Sequence, residues 1–512
     1  MECMHTRSDT AGLVELEERV RQDRQDLCQP AANWVPSRSC NGQKVVDIVV
    51  VGAGMCGLVA HHALIAGGMR NILHIDRSPE GREGPWVTFA RMNTLRSPKN
   101  LTGPAFGHAA LTFRAWFRAQ YGEARWEALD KIDRPMWMEY LRWYRKVLDL
   151  PIQNGLELQR VTPEDGLLRV DLGGQAAPVL ARKLVLATGR DGTGQPIVPR
   201  AFIGLSRQYW AHTAHDIDFA KLSGKRVAVI GVGSSAMDNA AEALEAGAAE
   251  VRLLARRSEM PTINKLMGIG SHGFTQGYQM LSDEWRWRMM RYSFVTQTPP
   301  PRSSTLRVSR HMNAAFHFDQ TVESVRHLND VVHLDLVGGE SLETDFVILG
   351  TGFTSDPMDR QELGAAAADI QLWQDVYTPP ADEKHDGLGR FPYLNRDFSF
   401  RHRVKGQASW LSSVYCFNYG AAASLGKVSG DIPGISEGAA LLANSIAATL
   451  YAEDISRHWQ NMKDYSDPEL VGDEWSAAAL PRQGRRDMNR SALAPDREHA
   501  APVQPKGNEF HM

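Results

Sequence analysis

Two glycine-rich turns, each following a β-branched run, constrain this chain more than any other feature. The first stretch reads VVVGAGMCGLVAHHALIAGG and spaces Gly52, Gly54 and Gly57 as G-x-G-x-x-G. In a strand–turn–helix unit these glycines allow a tight turn, close approach of backbone to a pyrophosphate, and close helix–strand packing. The helix that opens there aims its free N–H groups at phosphate oxygens. The next apolar run, NILHI, ends in Asp76, the position at which such a unit binds a ribose 2′-hydroxyl. A turn built only for packing would leave Asp76 without a reason. The second stretch reads VAVIGVGSSAMDNAAEALEAG, with Gly231, Gly233 and Ala236 in the G-x-G-x-x-A variant and Ser234 and Ser235 inside the turn. Its second strand, EVRLLA, ends in Arg256-Arg257, cations that suit a 2′-phosphate. The two cradles are chemically different: the acid favours FAD, the arginines NADPH. The plainer alternative, an arginine pair that only solubilises a strand end, stays open at this stage.

The rest of the chain is consistent with a protein built around these units. It has 512 residues, 43% hydrophobic and 23% charged, with a formal net charge of −3, so nothing asks for a nucleic-acid partner. Five scattered cysteines and no Cys-x-x-Cys pair exclude a disulfide framework, a zinc ribbon and a dithiol redox centre, and no metal is expected. No apolar run reaches the ~18 residues of a membrane span. MECMHTRSDTAG lacks the design of a secretory signal, so the default expectation is cytoplasmic. Two further apolar runs, KLVLATG and DFVILGTG, end at Gly189 and Gly352 in the same Thr-Gly pair. The expected fold is α/β, with two Rossmann-like dinucleotide-binding domains and the NADPH domain inserted into a split FAD domain. The expected boundaries are an N-terminal extension 1–44, a first FAD part 45–205, an NADPH domain 206–340, a second FAD part 341–455, and a polar, loosely ordered tail 456–512. Helices are expected at 13–27, within 113–148, at 283–292 and at 438–450. In the third, helical spacing puts Trp285, Met289 and Tyr292 on one face, over the cofactor cleft.

In these motifs the chain resembles the class B flavin-dependent monooxygenases: flavin-containing monooxygenases, ornithine/lysine N-hydroxylases and Baeyer–Villiger monooxygenases. Gly84 to Trp86 is similar to the family's GGxW, Met92 to Pro104 to the Met-Gln…Lys-Asp-Leu stretch of the N-hydroxylases, and Arg134 to Tyr144 to their Arg-x-Glu-Phe helix. Residues 208–213 resemble a degenerate family fingerprint around His212, without the Trp-Pro or Trp-Asp ending of Baeyer–Villiger enzymes. Asn264 resembles the family's F-x-N-E segment, and the turn Gly430-Asp431 is similar to the Gly-Asp turn near flavin ribityl groups in other flavoproteins.

The resemblance implies an NADPH-dependent FAD monooxygenase that oxygenates a small molecule with O2 through a C4a-(hydro)peroxyflavin. It leans to N-hydroxylation of an amine. Baeyer–Villiger oxidation, S-oxygenation and an NADPH:flavin reductase or oxidase without oxygen insertion stay open, as does a homo-oligomer. It adds Trp86, Gly189 and Gly352 to the cofactor set and makes Asn93, Lys99 and His212 the catalytic candidates. His61 and His62 read as packing residues, and Arg190 lies between a catalytic role and a sheet-end cation.

Overall fold

The run Val46–Val51 forms a strand buried on both faces, with Ile48, Val49 and Val50 wholly screened from solvent, as a continuous β-branched run in a parallel sheet requires. In the computed structural model, which describes residues 10–174 and 177–478, this strand lies within the parallel part of the first of two large sheets. Ile72–Asp76 lies on one side of it and Val179–Leu186 on the other, both parallel to it, in the registers Val49↔Leu73 and Val49↔Leu184. Gln153–Asn154 extends the sheet beyond Ile72–Asp76, and the antiparallel pair Leu158–Glu164 and Leu167–Leu172 extends it beyond Val179–Leu186. The short strand Val414–Tyr415 joins Val179–Leu186 in parallel from late in the chain.

The second sheet repeats the order. Its five strands, all parallel, run Ala314–His317, Glu250–Leu254, Arg226–Ile230, Phe346–Leu349 and Trp210–His212. In both sheets the strand leading into the glycine turn is flanked by the second and fourth strands of its unit, and the turn lies at the reversal point where α/β sheets bind ligands. A three-stranded antiparallel meander, Val322–Leu328, Val331–Leu336 and Ser341–Thr344, connects the third strand to the fourth. The chain is a mixed α/β protein.

Several elements depart from the sequence expectation. The 113–148 segment forms two helices, Phe113–Ala128, broken by Gly122 at φ +78°, and Arg134–Val147. The apolar helix near the C-terminus is longer than expected, Ile435–Glu453. Buried Arg182 pairs with Asp454 at 2.8 Å and Glu453 at 2.9 Å, which ties the end of that helix to the first sheet. The Trp/Arg-rich helix spans Asp283–Thr296, but its buried face carries Trp287 and Met290, while Trp285 and Tyr292 are exposed. The arginines turn inward there because they find acceptors: Arg286 donates to Ser424 O at 2.9 Å and Arg288 to Glu383 at 2.8 Å.

Among the described residues, those up to His458 form one compact unit, and 459–478 fall outside it. Helix Ile455–Asp464 runs past the point where the sequence places the start of the tail. Most of that expected tail lies outside the described residues. No helix of the described residues is long and apolar enough to cross a membrane.

Candidate functional site

Sterics separate the glycines of the first cradle into two kinds. Gly52 has φ +98°, and a Cβ there would stand 2.5 Å from the carbonyl oxygen of Ala187. A Cβ on Gly57 would stand 1.7 Å from Gly52 O. The fold itself demands both. At Gly54 a Cβ would meet nothing nearer than Gly84 Cα at 3.6 Å, an ordinary contact. The fold would accept a side chain at Gly54; what the glycine preserves is space for something outside the chain. Helix Met55–Ala66 begins there with no side-chain cap, which leaves its first N–H groups for an anion.

The second cradle follows the same rule with one exchange. Gly231, at φ +109°, would put a Cβ 2.6 Å from Gly350 O, whereas a Cβ on Gly233 would meet nothing within 4 Å. Helix Ser234–Glu245 also starts without a side-chain cap. The third position holds Ala236, and its facing strand end holds Gly350, where a Cβ would lie 2.4 Å from Ala236 Cβ. In the first cradle the third position is Gly57, and what a Cβ there would meet is Gly52 O.

Around the first cradle, buried Asp76 accepts from Ala53 N at 2.6 Å and Ser78 N at 2.7 Å, so its carboxylate is fixed at the rim of the glycine turn. Beneath it, His74 Nε2 lies 2.9 Å from Gly52 O and its Nδ1 3.0 Å from His61 Nδ1. Donation to the carbonyl sets the tautomer: His74 carries its proton on Nε2 and accepts from His61. Burial pushes His74 down to about 4 and His61 to about 3, so both are neutral at pH 7. His62, held by Tyr144 OH at 2.7 Å, falls to about 3 for the same reason. Both helix histidines are buried, as packing residues are.

The loop after the first cradle is clamped by Arg134, which donates from Nε to Met92 O at 2.8 Å and from Nη1 to Trp86 O. Trp86 packs edge-on against Trp137 at 6.3 Å. Asn93 is exposed, and its carbonyl accepts from Arg134 N at 2.9 Å. Lys99 caps the end of helix Phe113–Ala128, donating to Trp126 O at 2.6 Å and Glu127 O at 3.2 Å. His212 is fully buried in a different place. Its Nδ1 accepts from Ala214 N at 3.1 Å, which leaves Nε2 to donate to Gly352 O at 3.0 Å. Burial and the neighbouring His215 lower it to about 4. The three catalytic candidates share no hydrogen bond with one another among the described residues, and both His212 nitrogens are spent on the fold.

Gly189 and Gly352 follow equivalent strands at φ +83° each, at the reversal points of the two sheets. Arg190 is exposed and stacks 3.6 Å over Tyr419. Around the second cradle, Ser234 opens the helix, Ser235 O accepts from Asn239 Nδ2 at 2.8 Å, and Arg257 donates to Val295 O at 3.3 Å. Arg256 is exposed and has no ion-pair partner among the described residues. Asn264 Oδ1 is shielded and unpaired.

Sequence reasoning assigned no role to Arg134, His74 or Asn418. Asn418 is buried and bonds Leu186 O, Thr193 Oγ1 and Gly420 N at 3.1, 2.6 and 2.9 Å, welding a late segment to the end of the fourth strand. Their partners are distant in sequence, so no local pattern announces them, although Arg134 does head a stretch that resembles the family.

Residues 49–268 match the family described as pyridine nucleotide-disulphide oxidoreductase. A FAD-dependent urate hydroxylase of Xanthomonas campestris pv. campestris is 38% identical over 466 residues, covering 90% of this chain and 98% of that protein. Among solved structures, the reduced ornithine hydroxylase of Pseudomonas aeruginosa matches 79% of this chain and all of its own, with a TM-score of 0.61 and 18% identity. An ornithine N-hydroxylase of a Kutzneria species, with reduced FAD, NADP+ and L-ornithine, covers 79% of this chain and 99% of its own with a TM-score of 0.60 and 17% identity. The chain belongs to the class B flavin-dependent monooxygenases. It is an enzyme, a flavoprotein oxidoreductase with FAD as its cofactor, and the open space at Gly54 and the uncapped helix behind it fit that group.

Proposed function

We propose that this protein is an NADPH-dependent FAD monooxygenase that hydroxylates urate or a closely similar anionic purine. The observation that carries the substrate is the likeness to the Xanthomonas urate hydroxylase over nearly its whole length. The likeness to N-hydroxylases of known structure is below 20% identity and speaks for the fold alone.

In this reading Gly52, Gly54, Gly57 and Asp76 hold the adenosine half of FAD. Gly231, Gly233, Ser234 and Ser235 hold the NADPH pyrophosphate, with Arg256 and Arg257 at the 2′-phosphate. Residues 45–205 and 341–455 make up the FAD domain, and 206–340 form the NADPH domain inserted between its parts. The chemistry supplied by bound, NADPH-reduced FAD is activation of O2, one oxygen atom going to the substrate and the other to water. The chain's own task is to bind, orient and keep water out. Arg190, exposed on the loop that follows Val179–Leu186 and stacked 3.6 Å over Tyr419, is a cation that favours an anion such as urate over a protonated amine.

The test is NADPH oxidation by the FAD-loaded protein, with urate, amines, sulfides and ketones offered separately. Urate should stimulate NADPH consumption, yield little H2O2, and give a product heavier by one oxygen. Turnover of an amine in place of urate would restore the N-hydroxylase reading. NADPH consumption that yields only H2O2 with every compound would mark an oxidase.

A further inference from the structure

Arg96 stands after the first cradle, and its side chain reaches the second. Its backbone belongs to the loop after the first cradle, where Leu95 N donates to Ile132 O at 2.7 Å and Lys131 Nζ to Arg96 O at 3.3 Å. Its guanidinium crosses to the second cradle: Nη1 donates to Ser234 Oγ at 3.2 Å and Nη2 to Pro299 O. Ser234 is the first residue of helix Ser234–Glu245, which starts uncapped at Gly233, the glycine with open space where a Cβ would point. A guanidinium beside the positive end of a helix is repelled unless an anion shares the place.

The nearby carboxylates do not remove that mismatch. Arg96 is exposed, and Asp238, on the same helix, and Asp431 both favour its charge. Neither forms an ion pair with it: Asp431 pairs with Lys427 at 3.3 Å, and Asp238 Oδ1 is buried without a hydrogen-bond partner. The helix end and the guanidinium are both positive, and the space at Gly233 is open.

We infer that Arg96 is a dinucleotide-binding residue of the second cradle, reaching over from the first lobe to the pyrophosphate at the start of helix Ser234–Glu245. The inference rests on the proposed assignment of that cradle to NADPH. Pyrophosphate is common to NADPH and NADH, so Arg96 contributes affinity without contributing coenzyme choice, which Arg256 and Arg257 carry. Because its backbone is fixed beside the first cradle, the contact also ties the bound coenzyme to the flavin side of the molecule.

Calorimetric titration of the FAD-loaded protein with NADP+ and with NAD+ tests this without turnover. Arg96→Ala should weaken both dinucleotides by the same factor, about ten- to hundredfold for a lost charged hydrogen bond, with flavin content unchanged. Arg256→Ala, as the contrast, should weaken NADP+ alone. If Arg96→Ala fails to fold, Arg96→Gln keeps a donor toward Ser234, removes the charge, and carries the same expectation. Wild-type affinity for both dinucleotides in the folded variant overturns the inference, and so does a loss confined to NADP+. A wild-type protein that binds neither dinucleotide overturns the assignment of the cradle itself, which is read before any Arg96 variant is compared.

Discussion

At the scale of single residues, the helix–strand crossing of the second cradle leaves little room. There Ala236 faces Gly350, whereas Gly57 at the same position of the first cradle faces Gly52 O. A Cβ at Gly350 would approach Ala236 Cβ to 2.4 Å, well inside contact distance. Gly350→Ala should therefore overpack the core of the second sheet and cost about 1–3 kcal/mol. Ala236→Gly alone should cost about 1 kcal/mol through helix propensity. Combined, they remove the Cβ–Cβ approach and leave that to Ala236 Cα at 2.9 Å, so the double variant should be more stable than Gly350→Ala. Urea denaturation of the four proteins measures this as a coupling energy. Strictly additive losses would show that the backbone yields and the two methyl groups never compete.

At the scale of elements, the helix and strand that frame the first cradle share buried histidines: His61 and His62 on Met55–Ala66, His74 on Ile72–Asp76. Their values of about 3, 3 and 4 lie below the ~6.5 of an unfolded histidine. The unfolded chain therefore takes up protons that the folded one refuses. The stability held by the neutral rings is complete above pH ~6.5 and is lost as the pH falls from there toward 4, by about 1.4 kcal/mol per pH unit for each proton. The melting temperature should be level near neutrality and drop below pH ~6, more steeply than one proton explains. His74→Gln keeps an N–H for Gly52 O and removes one titrating ring, so its acid limb should be shallower. An unchanged limb in that variant would place the acid-sensitive group elsewhere.

Elements were legible in the sequence where sterics act locally. Gly52 and Gly231 need positive φ, and Val46–Val51 and Arg226–Ile230 need two buried faces, so strand, turn and helix could be read directly. The helix Asp283–Thr296 was found, but its buried face was not. Spacing chose Trp285, Met289 and Tyr292, whereas Trp287 is buried because its Nε1 donates to Glu383 O at 2.9 Å and its ring packs on Trp373 and Tyr377. Lys99 and His212 have the same history: carbonyls from remote segments occupy their polar atoms. Periodicity describes one element, and these partners come from another.

At the scale of the whole molecule, the proposed insertion of 206–340 makes a geometric demand: the chain must leave the first lobe and return at nearly the same place. The two crossing segments do meet, as an antiparallel bridge between Pro196 and Phe353. Ile197 N donates to Gly352 O at 2.9 Å and Thr354 N to Gln195 O at 2.9 Å. His212 reaches the same hinge through Gly352 O, and Thr351 Oγ1 donates to Ile197 O at 2.5 Å. A hairpin is already present there, with the second lobe standing where its loop would be. Replacing residues 198–351 with Asn-Gly, the pair favoured by two-residue hairpins, should close it without moving either strand end. The residues that flank the first cradle remain, including Asp76, Asn418 and the helix Ile435–Glu453, and the first lobe keeps its own core of Ile48, Val49, Leu184 and Ile435. The shortened protein should be yellow, with about one FAD per chain as its visible absorbance reports. Adding NADPH should leave the flavin oxidised, because Gly231, Gly233, Arg256 and Arg257 have gone. A folded but colourless product would mean that the second lobe helps hold the flavin. Reduction of the flavin by NADPH in the shortened protein would remove the coenzyme from the second cradle altogether.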